Sequence, residues 1–237
     1  MARQSPDVSD SVSLLCKRIE ALVAAKSLTA PGERVLIALA GVPGSGKSTI
    51  SSALLEALPK YGVENVAVLP MVQDGFHYTK AALRDFDDPA NAFRRRGAPF
   101  TFDSHRFLDL ILSLRELPVT HKGEPEEFLL APSFDHAEKD PVEDAIAISS
   151  RNQVVIIEGN YTLLNEDPWR QIVTLVDDKW FVDALPATAL DRLVDRHIQA
   201  GIETSREAAL ARTLENDMPN GDMIRALLIE PTVRIVN

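Results

Sequence analysis

Residues 41–48, Gly41-Val42-Pro43-Gly44-Ser45-Gly46-Lys47-Ser48, satisfy the pattern G-x-x-x-x-G-K-[ST] in full. The pattern acquires meaning from its surroundings. Val35 to Ala40 is an apolar run suited to a buried parallel strand. From Ser48 to Leu58, the apolar residues Ile50, Leu54, Leu55 and Leu58 share one helical face. Glycines let the turn between them wrap an anion without Cβ clashes, while backbone N–H groups and the positive helix end converge on it. Gly41 through Ser48, with Thr49 following, are therefore expected to cradle a nucleoside triphosphate, ATP in the first instance. Lys47 would reach the β- and γ-phosphates and the Ser48 hydroxyl would hold Mg²⁺.

Two further buried strands are expected to bring acids to the same place. Val66 to Met71 leads into Gln73-Asp74-Gly75-Phe76-His77, and Gln153 to Ile157 ends in Glu158-Gly159-Asn160. In open parallel sheets the ligand crevice lies beyond the carboxyl ends of the strands. Asp74 there takes the proton of an acceptor hydroxyl or helps place the metal, unless it only shapes an Asp-Gly turn. Glu158 there coordinates Mg²⁺, or else merely ends a strand. His77 is either a substrate contact or a packed histidine.

Basic residues recur at two places. Arg94-Arg95-Arg96 is a solvated run, or it neutralises a phosphate or an acceptor. Arg192 and Arg196 are four apart on a helix expected to start at Thr188, carry Leu190, Leu193, Val194 and Ile198, and end at Gly201. They either close over the phosphates as a lid or pair with Asp191 and Asp195 on a wet face.

Elsewhere, residues 1–10 are polar, and a helical stripe runs through Val12, Leu15, Ile19, Leu22 and Val23. Another helix begins near Ser104, with Phe107, Leu108, Leu110, Ile111 and Leu114 as its apolar set. Leu117 to Ser133 reads as loop, and the polar group Pro132 to Asp140, with Phe134, Asp135 and His136, lines an acceptor pocket or forms a surface loop. Trp169 to Val176 is a short amphipathic segment, followed by a strand over Lys179 to Leu185. A helix over Thr204 to Asn216, a turn at 217–221 and a short strand from Pro231 complete the expected elements.

The net charge of −10 argues against a nucleic-acid backbone as the main partner. No apolar run approaches the roughly 20 residues of a membrane span, and Met1 to Asp10 lacks the plan of a signal peptide. The single cysteine, Cys16, fits a reducing, cytoplasmic setting. Five histidines and no paired cysteines argue against zinc. Oligomeric state is left open.

With these pieces in place the chain resembles the P-loop kinases of the uridine kinase, pantothenate kinase and phosphoribulokinase family. The resemblance covers about Val35 to Asn220 and rests on Asp74-Gly75-Phe76-His77, Arg96-Gly97-Ala98-Pro99, Phe102-Asp103, Pro132-Ser133-Phe134-Asp135, Glu158-Gly159 and the arginine helix after Phe181-Val182-Asp183. It implies a three-layer α/β sandwich, with a mostly parallel sheet of about five strands, helices on both faces and a helical lid. Residues 1–30 would be a tail and helix packed on one kinase domain spanning 31–237, with an acceptor-site insertion at about 76–140 and the lid at about 188–216. By the resemblance, Asp74 matches the catalytic aspartate, Glu158 the Mg²⁺-associated acid, and Arg192 with Arg196 the lid; His77, Arg96, Phe134 and Asp135 would face the acceptor. The implied activity is ATP-dependent phosphorylation of a small-molecule hydroxyl, whether nucleoside, pantothenate-like or sugar-like. A nucleotide-binding regulatory protein without transfer chemistry is the alternative. A GTPase is disfavoured, since the Asp-x-x-Gly and Asn/Thr-Lys-x-Asp groups expected of one are absent.

Overall fold

A computed structural model describes residues 8–69, 72–135 and 137–237. Residues 1–7 of the polar stretch, residues 70 and 71 at the end of the expected second strand, and His136 lie outside the described residues. The strands are β1 (Val35–Gly41), β2 (Val66–Leu69), β3 (Phe128–Asp135), β4 (Asp140–Ser149), β5 (Val154–Glu158), β6 (Asp178–Asp183) and β7 (Val233–Val236). The helices are α1 (Val8–Thr29), α2 (Lys47–Ala57), α3 (Lys80–Arg84), α4 (Pro89–Arg94), α5 (Ser104–Glu116), α6 (Pro186–Gln199), α7 (Arg206–Arg212) and α8 (Met218–Ala226).

Five strands form one sheet in the order β2-β5-β1-β6-β7, each neighbouring pair parallel. A parallel sheet is covered on both faces, so its strands are apolar throughout rather than alternating. Every residue of β1 and β5 is buried. Side chains of β1 divide between two cores. Val35, Ile37 and Leu39 pack with Leu15, Ile19, Ile50 and Leu54 of α1 and α2. Leu36, Ala38 and Ala40 pack with Phe107 and Ile111 of α5, Trp169 and Ile224 of α8. The result is helix, sheet and helix in three layers. Because β2, β5 and β1 are adjacent and parallel, the segments that follow them emerge at one edge. Those segments are 72–76, 159–160 and 42–46.

Helix α1 runs longer than its stripe, with Val12, Leu15, Cys16 and Ile19 buried against the sheet. No helix of the described residues is long and apolar enough to cross a membrane. All five apolar residues expected of α5 are buried, and its start is set by the Asp103 side chain accepting from Arg106 N at 3.0 Å.

Four expectations fail. Leu55 is half exposed at 42%, because α2 turns Ile50, Ser51 and Leu54 inward instead. Ile198 is likewise exposed, and the buried residue of that turn in α6 is His197. The supposed loop before Ser133 contains β3, which pairs antiparallel with β4, and the register shifts between Ala131 and Ser133 at Pro132. A proline is compatible with strand structure at a bulge or on an edge, and a two-stranded ribbon consists only of edges. The supposed turn at 217–221 instead opens α8, where Pro219 sits in the first turn; proline is favoured there because it lacks an N–H to satisfy.

Candidate active site

The loop at 41–48 closes tightly because two of its glycines hold conformations other residues avoid. Gly46 has φ +90°, and a Cβ on it would sit 2.2 Å from Asn237 Nδ2. Gly44 has φ +73°, with the Ala189 carbonyl of α6 2.8 Å from where a Cβ would be. Lys47, the first residue of α2, folds back over the loop. Its Nζ donates to the carbonyls of Gly41 (3.0 Å) and Val42 (3.2 Å) and to Asn160 Oδ1 (2.7 Å). Burial pushes the Lys47 pKa down to about 8; Glu158 and Asp74 act in the opposite direction, and Arg196 adds to the lowering.

Glu158, at the last position of β5, is fully buried. Its Oε1 accepts from Ser48 Oγ at 2.8 Å and its Oε2 from Ser51 Oγ at 2.9 Å. One carboxylate thereby meets two hydroxyls of α2 at the mouth of the loop.

Asp74 lies in a short helical turn, Val72–Phe76, just past β2. The Asp74 carbonyl is 2.8 Å from His77 Nδ1, and the His77 ring lies against Phe102 (centroids 3.9 Å apart) and Phe134 (5.1 Å). Arg96 packs over the Phe134 ring at 5.4 Å and donates to the Lys139 carbonyl (2.5 Å), the Tyr78 carbonyl (2.9 Å) and Asp140 Oδ1 (2.9 Å). These contacts fasten the 95–98 loop to the turn end of the β3–β4 ribbon.

Arg192 and Arg196 of α6 are both exposed and both line the cavity described below. Arg192 Nη1 approaches the carbonyls of Gly44 (3.3 Å) and Ser45 (3.5 Å). Of the two acids that a wet face would offer them, Asp195 is bonded to Arg206, at 2.8 Å.

One cavity of about 780 Å³ collects these groups. Pro43, Gly44, Ser45, Gly46, Lys47, Ser48, Thr49, Asp74, His77, Arg96, Phe134, Glu158, Arg192 and Arg196 all line it. Three expected residues stand outside. Gly41 and Val42 lie behind the loop and hold Lys47 through their carbonyls. Asp135 caps the ribbon turn, its Oδ1 accepting from the N–H groups of Ala137 (2.8 Å) and Glu138 (3.1 Å). Arg94 is bonded within α4 to Asn91, and Arg95 to Asn216 and Asn220, so neither lines the cavity.

Sequence reasoning did not single out Asn160, Asn237, Lys139 or Phe102 as site residues, although all four line the cavity. Asn160 follows Glu158 by two residues, and that adjacency was a usable signal. Asn237 comes from beyond β7 and reaches Ser45 O at 2.9 Å, a long-range contact without any local mark.

The family described as Phosphoribulokinase / Uridine kinase matches residues 36–220. A Schizosaccharomyces pombe protein named "Putative uridine kinase C227.14" is 38% identical over 230 residues, covering 97% of this chain and 91% of that protein. The "ATP-dependent kinase-like protein notR'" of Aspergillus versicolor is 46% identical over 151 residues, covering 64% of this chain and 86% of the relative. In three dimensions, YFH7 from Saccharomyces cerevisiae superposes with a TM-score of 0.79 at 23% identity, over 95% of this chain and 99% of that one, which bears on fold alone. The fold is the P-loop NTPase α/β sandwich that the resemblance implied. On the match across 36–220 and the near full-length likeness to the fission-yeast relative, the chain belongs to the phosphoribulokinase/uridine kinase family.

Proposed function

We propose that the protein is an ATP-dependent kinase that transfers the γ-phosphoryl group to a hydroxyl of a small metabolite. One observation carries the reading. Lys47, Glu158, Asp74 and the two α6 arginines reach a single cavity from four different segments of the chain. A loop that bound phosphate for structural reasons alone would need neither the acid past β2 nor the arginines of α6.

Phosphoryl transfer asks the protein for in-line placement and neutralised charge rather than covalent chemistry. The loop amides and Lys47 hold the triphosphate, Lys47 exchanging its present carbonyl partners for phosphate oxygens. Ser48 and Glu158 form an all-oxygen donor pair of the kind Mg²⁺ accepts. An ion held by these two residues would supply neutralisation of phosphate charge. Asp74 orients the acceptor hydroxyl and takes its proton as the hydroxyl oxygen bonds the γ-phosphorus and the bond to the β,γ-bridging oxygen breaks, with ADP as the leaving group. Arg192 and Arg196 cover the transferring group, which also excludes water as a competing acceptor. His77, Phe102, Phe134 and Arg96 make the wall against which the acceptor rests.

The test is a panel of nucleosides, pantothenate-like vitamins and sugars incubated with γ-labelled ATP and Mg²⁺. The expected result is stoichiometric transfer to one acceptor. With that acceptor, Asp74→Asn should lower turnover about 10²- to 10⁴-fold while ATP affinity stays near wild type. Turnover by Asp74→Asn equal to wild type would refute the role of Asp74. ATP binding without transfer to any panel member would favour the regulatory reading.

A further inference from the structure

Three consecutive arginines invite one explanation, yet the middle one differs from its neighbours. Arg95 does not line the cavity; it bonds a buried amide pair, of which Asn220 is a lining residue. Its Nε donates to Asn216 Oδ1 at 3.1 Å and its Nη2 to Asn220 Oδ1 at 2.9 Å. Asn216 returns the contact, its Nδ2 donating to the Arg96 carbonyl at 3.1 Å. The two asparagines are only 5% and 3% exposed. Buried amides are retained where their hydrogen bonds are made, and losing a partner leaves a costly unsatisfied group.

The segment that receives Arg95 has unusual backbone. Residues 213–217 form a single π-helical turn between α7 and α8. Such turns are rare inside helices and concentrate at functional sites. Its last residue, Asp217, lines the cavity and accepts from His197 Nε2 of α6 at 2.7 Å. His197 is one position from Arg196 and is itself buried. On the other side, Arg96 and Gly97 line the cavity at the wall beside Phe134 and Phe102. The Gly97 carbonyl is held by the buried Tyr161 hydroxyl at 2.5 Å.

We propose that Arg95, with Asn216, is a positioning device linking the 95–98 wall to α6 through the π-turn and the Asp217–His197 bond, so that α6 settling over bound phosphates also sets the acceptor wall. The proposal rests on the kinase reading above for what the cavity binds. Arg95 touches neither nucleotide nor acceptor in this scheme. Its effect is to make the two ends of the cavity close together, a coupling free energy that acts equally in both directions.

Hydrogen exchange with and without Mg²⁺·AMP-PNP tests it without knowledge of the acceptor. In wild type, nucleotide should slow exchange by about fivefold or more both in 186–199 and in 93–101, the lower end of usual coupling. In Arg95→Ala and, independently, in Asn216→Ala, the slowing in 186–199 should persist while that in 93–101 is lost. Arg95→Lys, which offers one donor nitrogen in place of two, should retain part of it. A general loss of stability would raise exchange in both states and leave the nucleotide response intact, so the response separates positioning from bulk folding. A 93–101 segment that ignores nucleotide in wild type, or answers it equally in both alanine variants, overturns the proposal while α6 protection leaves the kinase reading standing. No nucleotide binding to wild type at all would overturn both.

Discussion

Lys47 carries its charge into a place where water is nearly excluded, and its ammonium is held by two backbone carbonyls and one amide oxygen. Desolvation lowers its pKa to about 8. The sign for folding follows directly. Between about 8 and its ordinary value of 10.5 the unfolded chain binds a proton that the folded one has lost, so this group makes stability rise with pH across that window. Nucleotide binding has the opposite sense, because phosphate oxygens favour the ammonium. Affinity for ATP should be flat below about pH 8 and fall above it by up to about tenfold per pH unit, the limit for one linked proton. Calorimetry in buffers of different ionisation heat should show proton uptake near zero at low pH, growing above pH 8. Lys47→Arg, charged throughout, should bind with no such uptake. Uptake unchanged in that variant would place the linked proton on another group. Of the residues around Lys47, the loop and the strand-end acids were legible in sequence because each follows a short apolar run directly. Asn237 was not, because nothing local to a chain segment records a contact to Ser45 made 192 positions away.

At the scale of elements, α6 shows how position decides what an arginine does. Arg192 and Arg196 project into the cavity, whereas Arg206 of α7 pairs with Asp195 of α6 on the exposed side, both side chains more than half accessible. Exposed pairs contribute little, being screened and entropically costly. Arg192→Ala and Arg196→Ala should each lower turnover about 10²- to 10³-fold, the scale for removing one donor aimed at developing charge. Arg206→Ala should leave both turnover and melting temperature near wild type, as measured by steady-state kinetics and thermal denaturation. Equal losses in all three would mean that α6 acts through its packing rather than its charges. The helical period predicted this element, including its arginine face. What it misjudged was the inward histidine: His197 sits where an apolar side chain is usual, with Asp217 receiving its Nε2–H and its buried Nδ1 left without a partner. The β3–β4 ribbon and the start of α8 were misread for a related reason. Pro132 and Pro219 are breakers in isolation, and only their places, a bulge in a ribbon and the first turn of a helix, make them compatible with regular structure.

For the whole molecule, the cavity is where the separate parts of the fold meet. The loop after β1, the turns after β2 and β5, helix α6, the 213–220 segment and the end of β7 all contribute to its lining. A ligand there binds the folded chain and none of these pieces alone, so its binding energy adds to the stability of the whole. The cavity also holds Lys47, Arg96, Lys139, Arg192, Arg196 and Arg212 against Asp74, Glu158 and Asp217, inside a chain whose net charge is −10. A polyanion that neutralises this local excess should therefore stabilise the fold. At a hundred times its dissociation constant, a ligand specific to the native state adds about 2.7 kcal/mol. For a chain of this size that corresponds to roughly 5–10 °C in melting temperature, at about 2–4 °C per kcal/mol. Mg²⁺·AMP-PNP should produce a shift of that order in wild type. Lys47→Ala, tested at the same nucleotide concentration, should lose most of the shift without losing the fold, since the lysine's removal also removes a buried charge. A full-sized shift in Lys47→Ala would mean that the anion is held elsewhere, and the loop at 41–48 would no longer be the seat of the triphosphate.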